Sequence, residues 1–209
     1  MADKRIAVLV SGGGTNLQAL IDAQSRGELG DGEIVAVISS KAGAYALERA
    51  KNAGIEGYVL PRKEFDSNQA MTVALVKMLQ QLQIDLVVLA GCMIIFTREL
   101  TEAYPNAVMK VHPALIPSFC GPGYYGLHVH EQALKYGVKL SGATVHFVSE
   151  ECDGGPIIAQ KSVEVRPDDT PEMLQKRIME QAEWILLPQA VKAFCEDRIT
   201  VDGRTVIIR

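Results

Sequence analysis

The sequence is poor in aromatic residues, at 6% for Phe, Trp and Tyr together, and rich in Val, Ile and Leu. That balance fits an α/β protein whose aliphatic strands are covered on both faces. No apolar run approaches the ~18 residues of a membrane helix, which argues against a membrane partner. The apolar run after Met1-Ala2-Asp3-Lys4-Arg5 is too short for the core of a secretory leader. Four cysteines, Cys92, Cys120, Cys152 and Cys195, show no C-x-x-C spacing. A zinc site and a disulfide framework are therefore not expected, and reduced thiols in the cytoplasm are. The formal net charge is -4 with both signs interspersed. A basic stripe is missing, so nucleic acid is not an expected partner, whereas a small anionic ligand needs only a local site. Repeats, low-complexity segments and long linkers are also missing. One domain over residues 1–209 is expected, a monomer or a homodimer.

What is present follows a clear order. Ile6 to Val10 reads as a buried strand and Ser11 to Thr15 as a tight loop. Asn16 to Ser25 has helical spacing, with Leu17, Leu20 and Ile21 on one face. Ile34 to Ile38 is a second strand, and Ala44 to Ala53 a helix ended by Gly54. A short strand near Tyr58 to Leu60 precedes a long amphipathic helix over Ser67 to Leu82. Asp85 to Ala90 is again a strand. The order βαβαβαβ implies a parallel sheet with helices on both faces. In the second half, Thr97 to Ala103 reads as a short helix and Ala107 to Val111 as a strand. Residues 113–126 read as a loop and His128 to Tyr136 as a helix. Ser141 to Val148 and Ile157 to Val165 are strands expected to be antiparallel neighbours. Thr170 caps a final helix with Pro171 at its first position, running to about Cys195. Asp202-Gly203 marks a terminal hairpin.

Two places carry candidate chemistry. In Ser11-Gly12-Gly13-Gly14-Thr15-Asn16, glycines let the backbone bring N–H groups close to a ligand at a helix N-terminus. The loop is neither a Walker A nor a dinucleotide fingerprint, since Leu17 stands where the last glycine belongs. It can bind a monophosphate, or it is a plain turn with Asn16 as a helix cap. The second place pairs His112, at the end of a strand, with Asp153, in the turn before Gly154-Gly155-Pro156. Lys110 and His112 project to one side of their strand, Met109 and Val111 to the other. An Asp beside a His raises the His pKa and fixes its orientation, which suits proton transfer in acyl transfer or hydrolysis. Each residue alone also has a bland account: a hydrogen-bonded half-buried His, and a turn Asp before two glycines. His128 and His130 read as surface or supporting residues and His146 as structural, with no metal spacing.

Together, Val8 to Leu17, Asp85 to Gly91, Val111-His112-Pro113-Ala114-Leu115-Ile116-Pro117 and Asp153 to Ile158 resemble the folate-dependent glycinamide ribonucleotide formyltransferases of purine synthesis. The likeness keeps order and spacing over nearly the whole chain. It implies a Rossmann-like three-layer α/β/α fold, mostly parallel in the N-terminal half with antiparallel strands in the C-terminal half. It divides the chain into a phosphate-binding half, about 1–100, and a catalytic and folate-binding half, about 101–209. It implies formyl transfer from 10-formyltetrahydrofolate to the amine of glycinamide ribonucleotide, with no metal. By the same resemblance Gly14, Thr15 and Asn16 bind the substrate phosphate and Glu183 contacts the ribonucleotide. Met93, Ile94, Ile95, Val148, Glu150 and Asp153 match the folate pocket, although some members carry an Arg where this chain has Ile94. His112 and Asp153 match two catalytic residues.

The third catalytic residue of that family is an Asn, and this chain has Lys110. The amide hydrogen-bonds the formyl oxygen as it gains charge, and one such donor is worth ~3 kcal/mol of barrier. Lys110 can act as a charged donor, can swing out to solvent, or can abolish turnover and leave a binding protein. The expectation is that it impairs the chemical step and spares ribonucleotide binding. Methionyl-tRNA formyltransferase and formyltetrahydrofolate hydrolase are similar but carry further domains not expected here. A dinucleotide oxidoreductase fits least, because the glycine spacing fails.

Overall fold

In the computed structural model, residues 4–209 are described; Met1, Ala2 and Asp3, which begin the segment read as lacking a secretory leader, lie outside them. A seven-stranded sheet has the order β3-β2-β1-β4-β5-β6-β7. The strands are β1 Lys4–Val10, β2 Gly32–Ser39, β3 Glu56–Val59, β4 Leu86–Leu89, β5 Val108–His112, β6 Leu140–Phe147 and β7 Ile157–Glu164. The first five run parallel, and β6 and β7 are antiparallel to their neighbours. This is the α/β/α arrangement the sequence implied, with the antiparallel pair in the C-terminal half.

Alternation along β1 explains the layers. Ile6, Val8 and Val10 enter one core cluster, Ala7 and Leu9 the other. The first is closed by α1 Thr15–Ser25, α2 Tyr45–Asn52, α5 Leu127–Tyr136, α6 Pro171–Ile178 and α7 Trp184–Cys195. The second is closed by α3 Asn68–Gln81 and α4 Arg98–Ala103. Ser67 caps α3 by accepting from the Ala70 N–H at 3.0 Å, and Leu75 and Leu79 bury its apolar face. A separate hairpin, β8 Ile199–Asp202 with β9 Thr205–Ile208, forms at Asp202-Gly203 as expected.

The final helix is not continuous. Thr170 caps α6 and Pro171 opens it, as read. Met179–Glu183 then widens into a π-helical turn, in which the Trp184 N–H reaches back five residues to the Met179 carbonyl. Pro188 follows inside α7, where its missing N–H removes one α-helical bond. The inserted residue changes which side chains face inward, and such turns recur at functional sites. Here it carries Glu183.

The chain reverses direction between β1 and β4: from β1 it winds outward through β2 and β3, then crosses back to β4 and β5. Loops after β1 and β4 therefore flank a crevice at the carboxyl edge of the sheet, where ligands of open α/β sheets bind.

Candidate active site

The loop after β1 lies on one side of this crevice. Gly14 precedes α1 in the left-handed conformation, φ 72°, and no side chain caps the helix. Asn16 is therefore not the helix cap. It is buried, and its Nδ2 donates to Glu183 Oε2 at 2.6 Å, while its Oδ1 has no protein partner. Burial raises the Glu183 carboxyl above its ordinary value, against the opposing pull of Asn16. Ser11 ties this loop to the loop after β4, because its Oγ accepts the Met93 N–H at 3.0 Å.

On the other side, a cavity of about 420 Å³ brings together Met93, Ile94, Ile95, Lys110, His112 and Asp153. Residues 121–126 form its opposite wall. Val148 and Glu150 do not line it; they border a separate hollow beside α4.

The polar centre is Asp153, 5% exposed and in the left-handed region at φ 55°. Asp tolerates that conformation better than most residues. The sharp turn beyond it needs Gly155, where an added Cβ would stand 1.8 Å from the Phe147 carbonyl oxygen. Asp153 Oδ1 accepts from Lys110 Nζ at 2.5 Å, and Oδ2 accepts from the Gly121 N–H at 3.0 Å. Burial alone would raise this carboxyl. The His146 imidazole, the Lys110 ammonium and the Gly121 N–H outweigh it and hold Asp153 well below the usual carboxylate range.

His112 departs from the sequence expectation. Its Nδ1 is 3.7 Å from Asp153 Oδ2, too far for a hydrogen bond. The ring is held through Nε2, 2.8 Å from the Phe119 carbonyl. A carbonyl can only accept, so Nε2 carries the proton and Nδ1 of the neutral ring is a free base toward Asp153. Asp153 does not raise the His112 pKa overall. Burial lowers it, Lys110 and His146 lower it further, and Phe119 and Asp153 only partly offset this.

Lys110 has not swung to solvent: it lines the cavity and pairs with Asp153. One of its three N–H donors is engaged there, which leaves two for other acceptors. Its alternation with His112 holds as read, since Met109 is fully buried and sits with Val111 in the core.

His146 belongs to this cluster, which its strand pattern alone does not reveal. It stands opposite Lys110 in the antiparallel β5–β6 register, so both face the same side. Its Nδ1 donates to the Phe147 carbonyl, and its Nε2 lies 3.7 Å from Asp153 Oδ1. His128 is exposed, but His130 is fully buried in α5 with both ring nitrogens unpartnered. Helical rather than extended backbone turns it inward. Among the described residues no cluster of ligand-type side chains could hold a metal ion. No described helix is long and apolar enough to cross a membrane.

Residues 4–191 match the family model described as formyl transferase. A phosphoribosylglycinamide formyltransferase from Haemophilus influenzae is 43% identical over 196 residues, covering 94% of this chain and 89% of that protein. The crystal structure of glycinamide ribonucleotide transformylase 1 from Symbiobacterium toebii superposes with a TM-score of 0.93 at 42% identity, over 99% of this chain and 94% of that one. A formyltetrahydrofolate deformylase from Pseudomonas syringae gives 0.86 at 30% identity, over 99% of this chain and 66% of its own. The family uses folate-derived formyl donors. A model match over most of the sequence, together with a relative 43% identical over nearly the whole chain, means that the chain belongs to the formyl transferase family.

Proposed function

We propose that this chain transfers the formyl group of 10-formyltetrahydrofolate to the amine of glycinamide ribonucleotide, in purine synthesis. The observation that carries this is the pairing of an uncapped glycine loop with the Lys110–His112–Asp153 cluster across one crevice. Residues 1–209 then act as one formyltransferase domain, with a phosphate-binding half to about residue 100 and a catalytic, folate-binding half beyond. Small metabolites are its partners and the cytoplasm its place of work.

The N–H groups of Gly14, Thr15 and Asn16 receive the acceptor's phosphate, favoured by the positive end of α1. Glu183, held by Asn16, accepts from the ribonucleotide. Met93, Ile94 and Ile95 offer the apolar wall for the folate. Val148 and Glu150, outside that cavity, contact the folate only at its rim.

The donor supplies an activated formyl group. The acceptor amine must shed a proton as it attacks, and neutral His112, its proton held on Nε2, takes it at Nδ1. Asp153, kept ionised, stabilises the imidazolium so formed, which returns the proton to the leaving tetrahydrofolate nitrogen as the bond between that nitrogen and the formyl carbon breaks. Lys110 spends one donor on Asp153 and directs another to the formyl oxygen as it becomes negative. In this reading lysine replaces the amide as a charged donor, and nothing in the geometry favours a binding-only protein.

The test is an assay of the unmodified chain with both substrates, following tetrahydrofolate and formylated acceptor together. Equal amounts of the two establish transfer. Formate without formylated acceptor would mean hydrolysis. Ribonucleotide binding without turnover would mean that Lys110 disables the chemistry.

A further inference from the structure

The glycine loop is held from behind by α2. The Ala46 N–H donates to the Gly12 carbonyl at 3.1 Å. Arg49 Nε donates to the Gly13 carbonyl at 2.8 Å, and its Nη1 donates to Gln18 Oε1 at 2.9 Å. The guanidinium also lies over the Tyr45 ring, 5.0 Å from its centroid. The Gly14 carbonyl is used by the Gln18 N–H at 2.9 Å, the first bond of α1. Three successive carbonyls are thus taken up by α1 and α2. Among the described residues the N–H groups of Gly13 to Asn16 have no protein acceptor.

We infer that Arg49 is a positioning residue for acceptor binding: by fixing the Gly13 carbonyl and Gln18 at once, it turns the loop's N–H groups outward to a phosphate. The inference rests on the proposed phosphate role of Gly14, Thr15 and Asn16. A peptide plane that carries its oxygen to one side presents its N–H to the other, so restraining the carbonyls pre-orients the donors. Arg49 spans both partners because its guanidinium is a planar fork, while a lysine ammonium at the end of a flexible stem is a single point charge. The positive charge stays behind the loop and adds to the attraction of an anion in front.

The experiment compares Arg49→Met and Arg49→Lys with the unmodified chain, once urea unfolding has shown that both fold. Loss of a charge-assisted hydrogen bond should raise KM for the ribonucleotide about tenfold in Arg49→Met, with KM for the formyl donor and kcat little changed. Arg49→Lys should recover part of the loss. The unphosphorylated ribonucleoside acceptor should be used equally poorly by all three. Equal penalties on both acceptors, or a fall in kcat at constant KM, would overturn the inference and leave Arg49 a structural residue.

Inorganic phosphate followed by amide NMR separates this from the choice of substrate. If the chain does not formylate the ribonucleotide, yet phosphate shifts the Gly13 to Asn16 amides and Arg49→Met abolishes those shifts, the positioning role stands and the substrate falls. If the ribonucleotide is formylated and phosphate moves those amides equally in both proteins, the positioning role falls.

Discussion

Lys110 Nζ lies 2.5 Å from Asp153 Oδ1, bridging β5 to the turn after β6. Asp153 is buried and also accepts from the Gly121 N–H at 3.0 Å. The pair helps to keep Asp153 ionised, and the nearby cation adds to the burial that disfavours charge on His112.

Replacing Lys110 tests both effects. Lys110→Met removes the donor aimed at the formyl oxygen, and kcat should fall by about 10² with little change in KM for the ribonucleotide. His112 should bind protons more readily once the cation is gone, so the acidic limb of the pH–rate profile should move to higher pH. Lys110→Asn restores a neutral donor and should recover most of kcat while keeping the displaced limb. A rate in Lys110→Met equal to or above that of the unmodified chain would exclude Lys110 as a donor.

His130 should make stability depend on mild acid. Burial lowers its pKa from 6.5 to about 4. The folded protein therefore binds this proton less readily than the unfolded chain. Stability is full above pH 6.5 and is lost as pH falls toward 4. At 1.36 kcal/mol per unit, the loss between pH 7 and pH 5 is about 2 kcal/mol. His130→Leu should flatten that window in urea unfolding. An unchanged slope would assign the acid sensitivity to another group.

Gly14→Ala should damage the loop through strain and overlap together. The residue would occupy left-handed backbone at φ 72°, with its Cβ 2.6 Å from the Ala46 Cβ. Left-handed backbone alone costs a non-glycine residue about 1–3 kcal/mol. The expected result is a lower thermal midpoint and a raised KM for the ribonucleotide. Unchanged values of both would mean that α2 yields more easily than its packing implies.

Glu183→Gln should stabilise the protein increasingly as pH rises. Burial raises the Glu183 carboxyl above its ordinary 4.5, so the native state loses stability as pH climbs from there through the raised value. The substituted amide carries no charge at any of these pH values, and its oxygen can still accept from Asn16. The urea midpoint of Glu183→Gln should gain on the unmodified chain as pH rises above 4.5. KM for the ribonucleotide should rise about tenfold with loss of the charged acceptor. A pH-independent difference in midpoint would show that Glu183 ionises freely.

Much of the architecture was legible in local pattern. Alternation in Ile6 to Val10, the Thr170 cap and the Asp202-Gly203 turn each depend on neighbours in the chain, so their elements formed as read. The same holds for Lys110 and His112 on one side of β5, because side chains alternate along any strand. The loop before α1 announced itself by its glycines, although the backing by Ala46 and Arg49 did not: those residues come from the next helix, and nothing in their own spacing points to Gly12 or Gly13.

What the tertiary structure decided was pairing. His146 joined the site because antiparallel β6 set it opposite Lys110. Glu183 met Asn16 because a π-helical turn broke a helix whose periodicity looked continuous. Lys110 took Asp153 as its partner and His112 took the Phe119 carbonyl, so His112 and Asp153 make no direct hydrogen bond. Local pattern specifies which way a side chain leaves its own strand or helix. The register between strands and the folding of loops onto them decide which charge it meets, and that contact sets its pKa and its chemistry.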